Sequence, residues 1–164
     1  MVILGIDPGL ATVGYGVIES VKGSAKAIDC GVILTPKDVS LPERLMMIES
    51  SIIKLIDKFS PEEIAMEELF FNNNQKTAIA VAEARGVTLL TCRKRCQKLF
   101  EYTPLQIKQA LTGYGRADKH QIQEMVKRLL GLSKIPRPDD AADALAVALT
   151  HSQTQRFSKE FGIK

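Results

Sequence analysis

Three aspartates lie within five positions at the head of the segment RPDDAADALAVALTH, residues 137–151. An acidic first turn favours a helix because the helix dipole is positive at that end. One of the three, most simply Asp139, would cap the helix. Capping does not require Asp140 and Asp143, and clustered carboxylates repel one another unless cations join them. Oxygen ligands alone select Mg²⁺ or Mn²⁺, so this segment predicts a divalent-metal site.

The spacing of these aspartates does not say which of them would share a ligand site. On a helix, Asp140 and Asp143 (i, i+3) lie on one face, but so do Asp139 and Asp143 (i, i+4). Alanines and a leucine between residues 141 and 148 press the same helix against the core. The acids are therefore expected close to the rest of the domain, whichever pair is used.

Two further candidate acids stand where predicted strands end. Asp7 follows the apolar run 2–6, and Glu67 closes the apolar stretch in EEIAMEEL. An acid at the carboxyl end of a strand opens onto the edge where α/β sheets bind ligands. Glu68 should point to the face opposite Glu67, because side chains alternate along a strand. Only one of these two glutamates can share a site with Asp7, and the residues alone do not select it.

Glycines surround the first of these acids, in GIDPGLATVGYGVI, residues 5–18. We interpret them as positions where the backbone can approach a phosphate closely. In the alternative interpretation, Asp7 is a turn aspartate bonded to its own backbone, which is common in Asp-Pro-Gly sequences. Taken alone, the segment fits both interpretations.

Hydrophobic periodicity and turn signals predict the elements that must position these acids. Ser40 and Glu43 have the spacing of a capping box, and so do Asp118 and Gln121. Strands are predicted at 2–6, 13–19, 27–34, 63–69 and 99–102, and helices at 41–59, 77–91, 104–111, 119–130 and from 139 onward. This order predicts a single α/β domain with a central sheet over residues 1–151, followed by a flexible tail at 152–164.

Composition narrows the class of protein. No apolar run approaches the roughly 18 residues that a membrane span needs, and the start MVILGIDPGL lacks the features of a secretory signal. Three cysteines without a framework spacing suggest reduced thiols, and hence a cytoplasmic protein. Residues 93–137 carry 11 Lys and Arg against 3 Asp and Glu. A basic block of this kind favours a polyanionic partner, although a solvated basic face would look the same.

Four segments, in chain order, carry a resemblance to a known family. They are GIDPGLATVGYGVI, AMEELFFNN, FEYTPLQIKQALTGYGRADKHQIQEMV and DDAADALAVALTH. Together they resemble the RuvC family, the bacterial Holliday-junction resolvases of the RNase H-like fold, from about residue 2 to residue 151. The resemblance implies a central mixed five-stranded sheet flanked by helices. It also implies symmetric nicking of two strands of like polarity, in DNA recombination and repair, that leaves 5′-phosphate and 3′-hydroxyl ends.

The same resemblance implies the site and its partners. Its motifs place the catalytic, metal-binding acids at Asp7, Glu67, Asp140 and Asp143, with two Mg²⁺ ions per site for which Mn²⁺ can substitute. Asp139 falls outside that pattern, in agreement with a capping role. The implied partners are four-way junction DNA, a second copy of the chain in a homodimer, and the RuvA–RuvB branch-migration complex.

Basic and aromatic residues of the motifs predict contacts with DNA. Lys119 in GRADKHQI matches a family lysine near the active site and is expected both to contact DNA and to stabilise charge in the transition state. Lys108 and Arg116 are expected to bind DNA, Lys108 through its backbone phosphates. Phe70, in LFFNNNQ, is the expected wedge between bases, with a core position as the alternative.

Three other functions share part of this pattern. The first is an RNase H-like nuclease of the pre-ribosomal-RNA-processing type acting on RNA, which usually lacks the GYGRADK stretch. The second is an ATPase of the actin/Hsp70 type, which needs two phosphate-binding lobes and therefore a longer chain. The third is a non-catalytic junction-binding module, which would not need four acids at one site.

Overall fold

The computed structural model describes residues 1–21, 23–69, 75–96 and 98–154. Its five strands form one mixed sheet, as predicted, and their order is β3-β2-β1-β4-β5. The strands are β1 (Val2–Asp7), β2 (Thr12–Val21), β3 (Ser24–Leu34), β4 (Glu63–Glu67) and β5 (Leu99–Tyr102). The first three form an antiparallel meander, while β4 runs parallel to β1 and β5 runs parallel to β4. The carboxyl ends of β1 and β4 therefore meet at one edge of the sheet.

Five helices accompany the sheet in the described residues. They are α1 (Leu41–Phe59), α2 (Gln75–Arg95), α3 (Pro104–Thr112), α4 (Lys119–Leu129) and α5 (Asp139–Thr154). Both predicted capping boxes form, at the start of α1 and at the start of α4. No helix among the described residues is long and apolar enough to span a membrane.

Several predicted boundaries differ from the structure: β2 is longer than predicted at both ends, β3 begins earlier, and β4 ends at Glu67 instead of residue 69. Helix α2 extends beyond 77–91 at both ends. Helix α5 continues to Thr154, so the first three residues of the predicted tail are helical. The rest of that tail, residues 155–164, lies outside the described residues, and its flexibility stays a prediction.

The two faces of the sheet pack against different helices, and strand alternation separates them. On β1, Leu4 and Ile6 belong to the core shared with α1 and α2, whereas Ile3 belongs to the core shared with α3, α4 and α5. On β4, Ile64 and Met66 face α1 and α2, and Ala65 faces α5. The same alternation directs Asp7 and Glu67 toward the α5 face.

Glycines in β1 and β2 let α5 lie directly on the sheet. A Cβ at Gly5 would be 2.1 Å from the carbonyl oxygen of Ala144, and one at Gly14 would be 2.0 Å from that of Asp140. At Gly16 it would lie 2.7 Å from a backbone nitrogen of the same helix. The interpretation of these glycines as a place for phosphate is wrong for Gly5, Gly14 and Gly16. The space that they leave is filled by the helix backbone.

A buried polar network holds the other end of α5. His151 is fully buried, with Nε2 2.7 Å from Glu63 Oε2 and Nδ1 2.7 Å from the Tyr102 hydroxyl. Neutral imidazole satisfies both partners when Nε2–H donates to the glutamate and Nδ1 accepts from the tyrosine. Thr154 Oγ1 lies 3.0 Å from the same hydroxyl. The network joins α5 to the start of β4 and the end of β5, so the contacts of His151 are structural.

We expect Gly14→Ala to lower the free energy of unfolding by about 2 kcal/mol, because overpacking a close backbone contact forces one element to shift. The first turn of α5 would move away from β2, since its backbone occupies the space that the new methyl group needs. Urea unfolding followed by circular dichroism measures the loss. Glu19→Ala, at an exposed position of the same strand, is the control and should change stability by less than about 0.5 kcal/mol.

We expect His151→Ala to cost about 3 kcal/mol at neutral pH, because it leaves a cavity and removes one buried hydrogen-bond partner each from Glu63 and Tyr102. Burial lowers the pKa of His151 below its ordinary value of 6.5, although Glu63 acts in the opposite direction. The unfolded chain therefore takes up the proton more readily, and the stabilisation, complete above pH 6.5, decreases as the pH falls below that value. The cost of His151→Ala should shrink between pH 7.5 and pH 5.5 in urea titrations. An equal cost at both values would contradict a neutral buried imidazole, and His120→Ala, at an exposed position, is the control.

Candidate active site

Helix packing and strand register bring the predicted acids to one place. Asp7 is the last residue of β1, and its cross-strand neighbour is Gly14, over which the backbone of Asp140 lies. Glu67 is the last residue of β4, one position beyond the pair formed by Ile6 and Met66. Asp143 follows one turn into α5. The carboxyl ends of two parallel strands and the start of one helix thus converge.

Electrostatic coupling shows that these carboxyl groups are neighbours. Burial first, and then the charges of Glu67, Asp143 and Asp140 in that order, raise the pKa of Asp7 to about 8, against a smaller lowering by Lys119. An aspartate held this far from its ordinary value of 3.8 is a group that the fold makes costly to ionise. A nearby cation would remove that cost.

The other acids respond to the same surroundings. Burial, followed by the charge of Asp143, raises the pKa of Glu67 to about 7, while Lys119 and Lys108 lower it. The pKa of Asp143 is also raised, chiefly by burial. Strand alternation, together with this coupling to Asp7, selects Glu67 over Glu68 as the glutamate of the site.

Lys119 forms ion pairs with two acids of α5. Its Nζ lies 3.0 Å from Asp143 Oδ2 and 3.4 Å from Asp139 Oδ2. Over the part of the chain that the structure describes, no three His, Cys, Asp or Glu side chains already converge as metal ligands. The arrangement is therefore a set of neighbouring carboxylates partly neutralised by one ammonium group.

A cleft of about 210 Å³ opens beside these groups. Glu67, Asp143, Lys108 and Lys119 supply its polar lining. Its apolar lining comes from Pro104, Ile107, Ile122 and Ala146. The cleft has acids on one side and two lysines within reach of a bound phosphate, so its chemistry suits a phosphodiester held beside metal ions.

Three of the described site residues, Asp7, Asp140 and Arg116, are not among the residues that line the cleft. Arg116 is exposed in the segment between α3 and α4. Phe70 lies outside the described residues, so its role as a wedge stays a prediction. Sequence reasoning missed the cleft's apolar wall, which periodicity alone assigns to the core.

The predicted cap of α5 is wrong. Asp139 is the first residue of the helix rather than the residue before it. Its carboxylate forms ion pairs with Lys119 and Arg137. No sequence pattern separates these roles, because an acid at a helix start satisfies the dipole in either position.

The donor set fits divalent cations. Asp7, Glu67, Asp140 and Asp143 offer oxygen ligands only, which suits Mg²⁺ or Mn²⁺. Lys119 is the one cation that the pKa values of Asp7, Glu67 and Asp143 all register. Burial first, and then the repulsion between the carboxylates, keep the pKa values of Asp7 and Glu67 raised although the lysines lower them.

We expect Asp7→Asn to stabilise the metal-free protein by about 1 kcal/mol at pH 8, because it removes a buried repelling charge. Since the pKa of Asp7 is raised from 3.8 to about 8, the wild type should lose stability relative to this variant as the pH rises from 4 through 8. Adding Mg²⁺ should reverse the order, by about 2.7 kcal/mol at a hundredfold excess over the dissociation constant. Thermal unfolding in EDTA and in Mg²⁺ measures both effects, and an equal Mg²⁺ response in the two proteins would exclude Asp7 as a ligand.

Known proteins match this chain over nearly its whole length. The family model described as crossover junction endodeoxyribonuclease RuvC matches residues 3–151. The protein of that name from Alkaliphilus oremlandii (strain OhILAs) is 53% identical over 100% of both chains. That from Clostridioides difficile (strain 630) is 52% identical over 97% of this chain and 94% of its own.

Solved structures give the same result for the backbone. Thermus thermophilus RuvC in complex with a Holliday junction substrate matches with a TM-score of 0.92 at 35% identity, over 99% of each chain. This match confirms the predicted RNase H-like fold. Agreement in sequence and in backbone over nearly the whole length shows that this chain belongs to the RuvC family of crossover junction endodeoxyribonucleases.

Proposed function

We propose that this protein resolves Holliday junctions by metal-dependent hydrolysis, nicking two strands of like polarity. The observation that carries the proposal is the electrostatic coupling of Asp7 to Glu67, Asp140 and Asp143, beside a cleft that Glu67, Asp143 and two lysines line. Family membership supports the substrate, since a relative of the same fold has been solved with a Holliday junction bound. Because the substrate is DNA and the described cysteines are free thiols, we place the protein in the cytoplasm.

Asp7, Glu67, Asp140 and Asp143 would hold two Mg²⁺ ions, for which Mn²⁺ can substitute. When bound, such ions supply an activated water and stabilise charge on the leaving oxygen. With the ions bound, the four acids would stay ionised, and the apolar wall of the cleft would limit the entry of further water. The expected products are a 5′-phosphate and a 3′-hydroxyl.

The two lysines of the cleft take different parts. Lys119 stands beside Asp143 at the acids, where its ammonium group can stabilise negative charge that develops on the scissile phosphate. Lys108 lines the same cleft from α3 and lowers the pKa of Glu67 less than Lys119 does. We assign Lys108 to binding of the DNA backbone, with Arg116 and Phe70 as further contacts.

A four-way junction is close to two-fold symmetric, so a homodimer with one site per protomer suits it. An exposed stripe on α2, formed by Ile79, Ala82, Gly86 and Leu90 at helical spacing, supports that helix as part of the interface. The side chains of Ile79 and Leu90 are 72% and 56% exposed, which is unfavourable unless something covers them.

We further propose that the RuvA–RuvB branch-migration complex supplies the junction.

A nicking assay tests the proposed function. Purified protein with Mg²⁺ is mixed with a mobile four-way junction, a linear duplex and an RNA–DNA hybrid, and ATP hydrolysis is measured as a control. We expect paired nicks in the junction alone, ligatable as 5′-phosphate ends, and no cleavage by Asp140→Asn or Asp143→Asn despite normal junction binding. Cleavage of the hybrid in preference to the junction would favour the ribonuclease alternative.

Substituting each lysine separately distinguishes a contribution to DNA binding from a contribution to DNA cleavage. We expect Lys108→Ala to weaken binding to every junction alike and to reduce the slope of affinity against salt by about one unit. Lys119→Ala should instead lower the single-turnover cleavage rate at saturating protein by about a hundredfold, with affinity nearly intact. Affinity is measured across a salt series without Mg²⁺, and the rate is measured with it. A Lys119→Ala protein that bound poorly yet cut at the normal saturated rate would contradict its catalytic part.

We expect Leu90→Glu to raise the dimer dissociation constant about tenfold or more, because a buried charge in an interface is costly. Sedimentation velocity over a concentration series measures it, and nicks in the two strands should become uncoupled at low protein concentration. Met46→Glu, at a position of α1 that is 67% exposed, is the matched control. A wild-type protein that stayed monomeric at all concentrations and still resolved junctions would refute the dimer.

A further inference from the structure

Asp139 joins the first turn of α5 to the first turn of α4. Its carboxylate lies 3.4 Å from Lys119 Nζ and also pairs with Arg137. Asp139 is therefore held in place by groups on both sides, although it is not one of the acids of the proposed metal site.

Lys119 pairs with two carboxylates, and only one of them, that of Asp143, belongs to the proposed metal site. Its Nζ is 3.0 Å from Asp143 Oδ2, the nearer of the two. A divalent cation that binds Asp143 takes over the charge that now holds the ammonium group. The lysine is 54% exposed on a flexible four-carbon stem. Without a second anchor, it would turn into solvent once the metal had displaced it.

We propose that Asp139 is a positioning residue, which keeps Lys119 beside the acids after a divalent cation has displaced that lysine from Asp143. The importance of the effect for cleavage rests on the proposed function, whereas the competition for Asp143 does not. In the metal-free protein, the ammonium group of Lys119 pairs with Asp143, a carboxylate that a divalent cation would otherwise bind. In the loaded protein, Asp139 holds Lys119 where it meets the substrate phosphate.

Metal affinity without DNA tests the competition directly. Free Mn²⁺ is measured by electron paramagnetic resonance during titration of the wild type, Asp139→Asn, Lys119→Met and the double variant. We expect Asp139→Asn to weaken Mn²⁺ binding about threefold, because Lys119 then pairs with Asp143 alone and competes more strongly with Mn²⁺ for that carboxylate. In the Lys119→Met background, the same substitution should have no effect. Equal weakening in both backgrounds would make Asp139 a ligand, and no change in either would show that it does not steer Lys119; each result overturns the proposal.

Junction cleavage gives the second measurement. We expect Asp139→Asn to lower the single-turnover rate about fivefold at saturating Mg²⁺, with junction affinity within about twofold of the wild type. Asp139→Glu should restore most of the rate, since it returns the charge, and Asp139→Asn should add nothing to the defect of Lys119→Met. Asp57→Asn, which breaks an exposed pair with Arg95, is the control.

The two measurements separate the possible failures. A wild type that cut no junction would sink the proposed function while leaving the Mn²⁺ result to stand or fall independently. A normal rate in Asp139→Asn, or a defect that persisted undiminished in the Lys119→Met background, would overturn the positioning role.

Discussion

The rest of the structure depends on the contact between the backbone of α5 and the backbone of the sheet. Gly5, Gly14 and Gly16 leave no side chain between them, so a Cβ at any of the three would collide with the helix. The contact places the first turn of α5 over the cross-strand neighbour of Asp7. With the helix one side chain farther away, the acids of α5 and those of the strands would no longer share one charged site.

Bringing these acids together costs stability, and the fold offsets that cost elsewhere. Burial and like charge raise the pKa values of Asp7 and Glu67, which shows that their ionised forms are disfavoured without a cation. At the other end of α5, His151 makes two short hydrogen bonds inside the core. The helix is thus fixed by an apolar face and a satisfied polar network, while its first turns remain under electrostatic strain. A site that needs metal ions to relieve its own repulsion is prepared to bind them.

Much of the fold could be predicted because its signals are local. The periodicity of α1 and α4 and their capping boxes concern residues within one or two turns of each other, and both boxes form as predicted. Asp7 and Glu67 each follow an apolar strand, so the sequence predicts both acids at an edge of the sheet without knowledge of which strands pair. The choice of Asp140 with Asp143 came from family resemblance, because helical spacing alone allowed Asp139 equally well.

The sequence by itself determined which residues form helices and strands, since those preferences act between near neighbours. Only the tertiary structure decided how residues far apart in the chain combine. It directed Glu67 rather than Glu68 to the α5 face, filled the space over Gly14 with a helix instead of a phosphate, and paired Asp139 with a lysine twenty positions earlier. The physical reason is that packing and charge act through space, and a linear pattern does not record which distant groups will share it.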